Sequence, residues 1–471
     1  MADILKLMRG VLSCSPLAHC VFLLALALTS CVMNATAQQN TTTKSATTSV
    51  DKDNQHVASL LREAAQLLQA GRAAEAEAVI RRALTAAPGN ADAHNLLGIV
   101  LDQRGHGEEA EREYRTALRL NPKAISALAN LGVLLARTKR ADEAIETLES
   151  VLRLAPDHPQ ATINLGVVYA SRGEYERAAD LLARANRIQP HTFDILYYLG
   201  VSLYNLKRLD EAASAFEAAS SLSTNSAEPF YFLGLIALAR GQDETAGDLW
   251  EKAVTLRPNY AEANFMLGEL LSKRNLIGAA KEHYERALQF DPSQPVHHIR
   301  LGRAYLLLGN FNQALRIFQA AAERFPGIAE IHYFAAISAH GLGNFDLALA
   351  ELQKSLTLQP NSADALALSG AINFDRANIT EAEKLLRRAL AVNQQHFNAH
   401  YDLARLLVKT HRYAEALPLL QRAAELKSNS PEVHYQIFLA LSRLKRKTEA
   451  DHELEIYKQL LEKEKMQKPD R

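Results

Sequence analysis

A glycine returns every 34 residues along most of this chain, at 98, 132, 166, 200, 234, 268 and 302, and again at 370. A fixed period of this length is the mark of a structural unit repeated in tandem, and it limits the fold before any single residue is considered. Setting that glycine as the eighth position gives twelve units of 34 from Val57 to Glu464, with no insertion or deletion. Position 20 is alanine in all twelve, from Ala76 through Ala246 to Ala450. Position 27 is alanine in nine, with Val151, Ser355 and Tyr457 as the exceptions. Position 32 is proline in eight: Pro88, Pro122, Pro156, Pro190, Pro258, Pro292, Pro326 and Pro360.

Within each unit apolar residues recur at helical spacing in two blocks, separated by a turn that often holds glycine, as at Gly71, Gly105 and Gly173. This predicts two antiparallel helices per unit. Gly at position 8 and Ala at 20 are expected to let the two backbones approach. Bulky residues at 24 (Ile80, Tyr114, Leu148, Phe216, Trp250, Tyr284, Phe318) should fill the space beside them. Proline at 32 should end the second helix, since it lacks an amide donor and disfavours a helical residue before it. One hairpin cannot bury its own apolar faces, but stacked hairpins can, so the fold class is all-α, a solenoid of helix pairs.

These columns resemble those of the tetratricopeptide repeat family, over 408 residues (twelve units of 34) of the 471. The resemblance implies a right-handed superhelix whose first helices line a concave groove through positions 2, 5, 6, 9, 12 and 13. Departures are local. Position 4, often Trp in the family, is here commonly His or Leu, and the terminal units carry Glu63-Ala64 and Ile437-Phe438 in place of Leu-Gly. Phe438 blocks the close approach that glycine allows, so the last hairpin is expected to differ in geometry.

Carried onto this chain, the groove columns give small or polar groups early on: Asn95, Asp102, Ala129, Asn130 and Asn164. The centre is aromatic, with Tyr197, Tyr198, Tyr204, Tyr231, Phe232 and Phe265, followed by Arg300, Arg303 and Tyr333. Aromatic and arginine side chains are the usual composition of binding hot spots, so these are the candidate partner-binding residues. The competing reading has the rings at positions 5 and 6 packing against the adjacent helix. The family's carboxylate clamp, which needs Lys at position 5 and Asn at 9, is absent, because position 9 is never Asn. The asparagine ladder of O-GlcNAc transferase repeats is matched only by Asn130 and Asn164.

Catalysis finds no support in the sequence. There is no P-loop, no GxGxxG opening a helix, no GxSxG and no HExxH. Five of the sixteen histidines fall in position 4, a packing column, and His297-His298 are neighbours that do not face each other on a helix. Hence no catalytic residue, metal site or cofactor is expected. Lys plus Arg equals Asp plus Glu at 53 each, which offers no basic stripe for nucleic acid.

The first 37 residues read as an export leader, with Lys6 and Arg9 ahead of an apolar stretch from Leu17 to Thr29. Leu28-Thr29-Ser30-Cys31 resembles a lipobox, with Cys31 the lipidated residue. Ala35-Thr36-Ala37 fits an ordinary signal peptidase site, and the span is barely long enough to remain as an anchor. Cys14, Cys20 and Cys31 are the only cysteines, so nothing later in the chain can form a disulfide or thiolate metal site. Residues 38–56 are Thr- and Ser-rich and read as a flexible tether, and 465–471 as a charged tail. The expected protein is a non-catalytic scaffold of the cell envelope that holds a protein or extended peptide, either periplasmic, an outer-membrane-anchored lipoprotein, secreted or signal-anchored. The rival readings are an accessory subunit of an envelope enzyme or polysaccharide export or synthesis complex, and a self-assembling structural protein. Oligomeric state is left open.

Overall fold

The computed structural model describes residues 49–467, which form 24 α-helices in twelve successive hairpins. The leader, with Cys14, Cys20 and Cys31, and residues 468–471 lie outside the described residues. The chain divides into two compact units, one ending at Pro258 and one beginning at Asn259.

The first unit holds α1 (Ser49–Gln69), α2 (Ala73–Ala86), α3 (Ala91–Gln103), α4 (Gly107–Leu120), α5 (Ile125–Arg137) and α6 (Ala141–Leu154). It continues with α7 (Pro159–Ser171), α8 (Tyr175–Ile188), α9 (Phe193–Asn205), α10 (Leu209–Leu222), α11 (Glu228–Ala239) and α12 (Asp243–Leu256). The second unit opens with α13 (Ala261–Lys273), α14 (Ile277–Phe290), α15 (Pro295–Leu307), α16 (Phe311–Arg324), α17 (Ala329–Gly341) and α18 (Phe345–Leu358). It closes with α19 (Ala363–Asp375), α20 (Ile379–Val392), α21 (Phe397–Lys409), α22 (Tyr413–Leu426), α23 (Pro431–Arg443) and α24 (Lys447–Gln467). No strand occurs among the described residues. Each unit is an α-solenoid in which every helix packs on the next.

The glycine column has a sharper purpose than letting backbones approach. A Cβ on Gly98 would stand 2.6 Å from the Tyr114 ring, and one on Gly268 the same distance from the Tyr284 ring. On Gly200 it would stand 2.8 Å from Phe216, and on Gly234 it would fall inside the Trp250 indole. Glycine at position 8 therefore makes room for the side chain at 24, which in every such hairpin is fully or almost fully buried. Where position 8 is alanine the partner at 24 is aliphatic: Ala64 with Ile80, Ala336 with Leu352, Ala404 with Leu420. No ring at position 24 faces anything larger than hydrogen. Alanine at position 20 is buried in all twelve hairpins, as its column predicts.

Proline at 32 is not the only thing that ends the second helix. Helices α10, α20 and α22 have Thr224, Gln394 and Ser428 there, yet stop at position 30 like the others. The shared feature is the position-31 residue, which leaves the helical region for extended backbone, as at Ser223 (φ −134°, ψ 90°), Asn393 (φ −136°, ψ 100°) and Lys427 (φ −145°, ψ 81°).

The turn inside each hairpin is equally uniform. Position 15 has positive φ in all twelve, between 59° and 82°, although only six of these residues are glycine. The position-16 amide then reaches back to the position-11 carbonyl, as in His106 to Leu101 (2.8 Å) and Asn378 to Asn373 (2.8 Å). This is the Schellman closure, which satisfies helix-end carbonyls at the cost of one left-handed residue. Lys139, Lys207, Asn275, Ala377, His411 and Lys445 hold that conformation without the freedom of glycine.

One boundary differs from expectation. Helix α1 begins at Ser49, so the end of the segment read as a flexible tether is helical, and no Pro or Gly interrupts residues 38–70 to prevent it. The 465–471 tail is helical as far as Gln467. Phe438 does not abolish the last hairpin: α23 and α24 pack as a pair, with Phe438 half-buried and Leu454 opposite it only half-buried in turn.

Two substitutions test these rules. Gly234→Ala is expected to destabilise by about 1–3 kcal/mol through overpacking, outweighing the roughly 1 kcal/mol that alanine gains in a helix. Gly132→Ala would bring its Cβ to 2.7 Å from Leu148, so the leucine must shift. The cost should be smaller than for Gly234→Ala, because Ala336–Leu352 and Ala404–Leu420 show that the fold accepts such a pair. Urea unfolding followed by Trp250, the single tryptophan, reads the first directly and circular dichroism reads both. Ala377→Gly should stabilise by about 1 kcal/mol, since it relieves left-handed strain, and an unchanged urea midpoint would contradict the strain argument.

Candidate functional site

Successive first helices touch one another within each unit (α1 with α3, α3 with α5, α5 with α7, α7 with α9, α9 with α11). The second unit repeats this at α15 with α17, α19 with α21 and α21 with α23. Successive second helices make no comparable contact among the described residues. That asymmetry puts the first helices on the inner side of each stack, where the candidate residues were sought.

In the first unit the nominated aromatics come together. Phe232 stacks on Phe216 with centroids 4.8 Å apart and planes 7° from parallel. Tyr204 and Tyr231 meet the edge of Phe232 at 5.6 and 5.4 Å. Tyr197 lies edge-on to Tyr198, Phe216 and Phe232 and stacks on Phe193. Tyr198, Tyr204, Tyr231 and Phe232 are buried in this array, and burial pushes the Tyr204 hydroxyl pKa up. Tyr197 is only partly buried. The Trp250 indole N–H donates to the Tyr231 carbonyl at 3.1 Å, tying α12 to α11 within that hairpin.

Several polar residues earlier in this unit bond to one another, although Asn164 Nδ2 is buried without a partner. The Asn130 amide donates to Asn95 Oδ1 at 3.0 Å, Gln160 donates to Asn164 Oδ1 at 3.2 Å, and Arg137 pairs with Asp102.

In the second unit Phe265 is buried against Tyr284 (6.0 Å) and His297 (5.1 Å). Arg300 Nε donates to Glu269 Oε1 at 2.8 Å, and the Tyr284 hydroxyl donates to the same oxygen at 2.6 Å. Burial, reinforced by Glu269, pushes the Tyr284 pKa well above its usual range. Arg300 is thus engaged within the fold. Arg303 is exposed and its guanidinium lies 5.4 Å over the Phe334 ring, which stacks in turn on Phe318 at 5.5 Å. Tyr333 is half-buried beside Phe334, its pKa pushed up to about 12 by burial and then by Asp364.

The groove columns of the sequence also include Tyr401, Arg405 and Lys409, but sequence reasoning missed the ring beneath the two cations, Phe374. Phe374, at position 12 of its repeat, lies beneath Arg405 (5.3 Å) and Lys409 (5.0 Å) from the following first helix, with Tyr401 also 5.7 Å from Arg405. Asp402 contacts Arg405 at 3.2 Å, and burial raises its carboxyl pKa. The column signal existed: position 12 of one repeat faces positions 9 and 13 of the next. Among the described residues no group of three or more His, Cys, Asp or Glu could hold a metal ion, and no helix is long and apolar enough to cross a membrane.

The comparisons with known proteins agree with this architecture. One tetratricopeptide repeat model matches residues 61–125, 96–157, 230–295 and 299–363, and a second matches 373–440. A model of anaphase-promoting complex, cyclosome, subunit 3 matches 137–219. The chain belongs to the tetratricopeptide repeat family. Among solved structures it is similar to YrrB, described as a TPR protein with an unusual peptide-binding site, at 24% identity and TM-score 0.37, covering 39% of this chain and 95% of that one. It is also similar to yeast Tom70 at 16% identity and TM-score 0.36, covering 84% and 97%. A third likeness is to the APC/C hetero-tetramer Cut9-Hcn1 at 16% identity and TM-score 0.46, covering 92% and 96%. No curated protein matches the chain.

As a tetratricopeptide repeat protein this chain has replaced the usual tryptophan of position 4 with histidine in several repeats, and the structure shows how. His332 places Nδ1 2.7 Å from Glu351 and Nε2 3.3 Å from the Pro326 carbonyl, and His434 repeats the pattern with Glu453 and Ser428. These rings join three segments, as packing-column residues should.

Buried imidazoles elsewhere set a pH limit. Burial holds the pKa values of His283, His297 and His298 below the usual imidazole range, and their remaining charged neighbours do not reverse this. A depressed folded-state value means these groups bind protons more readily when unfolded. Stability should therefore be constant above about pH 6.5, the ordinary imidazole pKa, and fall as pH drops below it. His297→Gln should reduce that loss. Unfolding midpoints measured between pH 7.5 and 5 check both, and equal slopes for the two proteins would refute the assignment to His297.

Proposed function

We propose that this protein is a non-catalytic scaffold that holds an extended segment of a partner protein against the inner, first-helix face of its stacked repeats. The observation that carries this reading is the set of partly exposed cation–ring pairs on first helices. Arg303 lies over Phe334, and Arg405 and Lys409 lie over Phe374 beside Tyr401. Rings bury much area for few rotors, and a guanidinium stacked on one can direct N–H groups at a peptide's carbonyls and carboxylates, as exposed Arg303 can, while Arg405 also holds Asp402. Tyr197 offers a similar partly exposed ring in the first unit. Buried Tyr198, Tyr231 and Phe232 support this face from beneath. The leader reading supports an exported protein of the cell envelope, with Cys31 as its lipidated residue if the lipobox is used.

The test is affinity capture from native envelope extract with the chain and with a version carrying Arg303→Glu, Arg405→Glu and Lys409→Glu. These positions are partly or fully exposed, so the variant should fold with an unchanged circular dichroism spectrum. Loss of a specific protein with the variant is the expected result. Capture of the same set by both baits would remove the inner face from consideration.

A further inference from the structure

The turns inside the hairpins form one edge of each unit, and that edge is generally laced with charge. Position 18 or 19 is Asp or Glu in ten of the twelve repeats. These acids pair with arginines of the same edge, as in Arg140 with Glu143 (2.6 Å), Arg208 with Glu211 (2.7 Å), Arg412 with Glu415 (2.7 Å) and Arg376 with Asp346.

The seventh and eighth repeats break the rule. Their positions 18 and 19 are Gly278, Ala279, Asn312 and Gln313, and neither 270–281 nor 292–322 contains a carboxylate. The same turns expose aliphatic side chains: Leu276 at 52%, Leu307 at 68% and Leu308 at 41%, with Leu342 of the next turn at 39%. Helix α14 packs on α15 and α16 on α17, so the three turns follow one another along the edge. Arg274 stands exposed beside Leu276, and positions 18 and 19 next carry an acid at Asp346.

We propose that this edge of the second unit docks on an anionic phospholipid surface. Leucines carried on the tips of successive turns suit shallow insertion at the headgroup–acyl boundary. Exposed Arg274 suits a lipid phosphate, and the missing carboxylates remove the groups that an anionic surface would repel. The sequence of the N-terminal leader, with its apolar Leu17–Thr29 stretch, is consistent with a chain made at or delivered to a membrane. A single weak anchor holds a protein only marginally, and a second contact of this kind turns reversible attachment into stable attachment. This edge is separate from the inner face, so failure of either reading leaves the other standing.

The experiment is hydrogen–deuterium exchange on the full chain, free and with vesicles of phosphatidylethanolamine and phosphatidylglycerol. The readout is local, which keeps attachment through the leader from imitating the result. Amides of residues 273–278 and 306–310 should slow by about tenfold or more on vesicles, the scale set by burying one leucine, while the 138–140 turn should not. Leu276→Asp with Leu307→Asp should abolish the slowing and leave circular dichroism unchanged. Equal exchange with and without vesicles overturns the proposal, as does equal slowing on phosphatidylcholine alone. Slowing that appears without lipid and grows with protein concentration also overturns it, and assigns the edge to a second copy of the chain.

Discussion

Everything in this molecule is built around one steric pairing, a residue without a side chain at position 8 and a large one at position 24 of the same hairpin. The helices of a hairpin can cross closely only if one partner yields space, and the ring or branched chain opposite then occupies it completely. The size rule is strict in both directions: alanine appears at position 8 only where position 24 is aliphatic, as at Ala336 and Leu352, and rings appear only over glycine, as at Gly234 and Trp250. Interiors packed at crystal density leave no slack for a methyl group, which is why the period is so regular. The exception is Phe438 in the twelfth repeat, where it and Leu454 opposite are both only half-buried.

That pairing also decides what the aromatic residues of the first helices can do. A ring at position 6 lies sixteen residues after the position-24 side chain of the preceding repeat and packs onto it. Phe232 stacks on Phe216, and Phe334 on Phe318. Tyr284 and Arg300 occupy the same two columns and meet through the shared carboxylate of Glu269. Position 6 is thus half groove and half inter-repeat core. The helix pairs and the packing columns were legible from spacing alone, because each depends on residues within one period, whereas the start of α1 and the proline-free ends of α10, α20 and α22 were not. The burial of Tyr198, Tyr231 and Phe232 was not, because it depends on which residue the previous repeat places at position 24. Phe374 escaped notice for a related reason, since its partners Arg405 and Lys409 belong to the next repeat.

The turns show a second limit of reading by column. Six glycines at position 15 suggested a tight turn, but the left-handed conformation holds equally at Lys139, Lys207 and Ala377. Closing the helix by the Schellman bonds is worth more than the local strain, so the geometry is imposed by the hairpin and glycine merely eases it. The balanced charge of the chain has a structural use at the same edge. Arg140 bridges Glu111 of the preceding repeat and Glu143 of its own, and Arg412 does the same with Glu383 and Glu415. Exposed pairs of this sort contribute little individually, but they link neighbouring repeats and keep the edge charged.

A repeat protein of this kind distinguishes itself where its own rules lapse. Nearest-neighbour packing demands the same residues at the same columns in every repeat, so residues that satisfy the demand carry no information about partners. What remains is a short list: Arg303 standing exposed over a ring, Arg405 and Lys409 gathered over Phe374, and the uncharged leucine-bearing turns at Leu276 and Leu307. None is needed to close a hairpin or to stack one on the next. All lie in the second unit, whereas the inner face of the first closes several of its polar groups on one another, Asn95 on Asn130 and Asp102 on Arg137. The physical economy of the fold therefore points to a division of labour. The first unit is the more self-satisfied scaffold, and the second presents side chains whose best partners lie outside the chain.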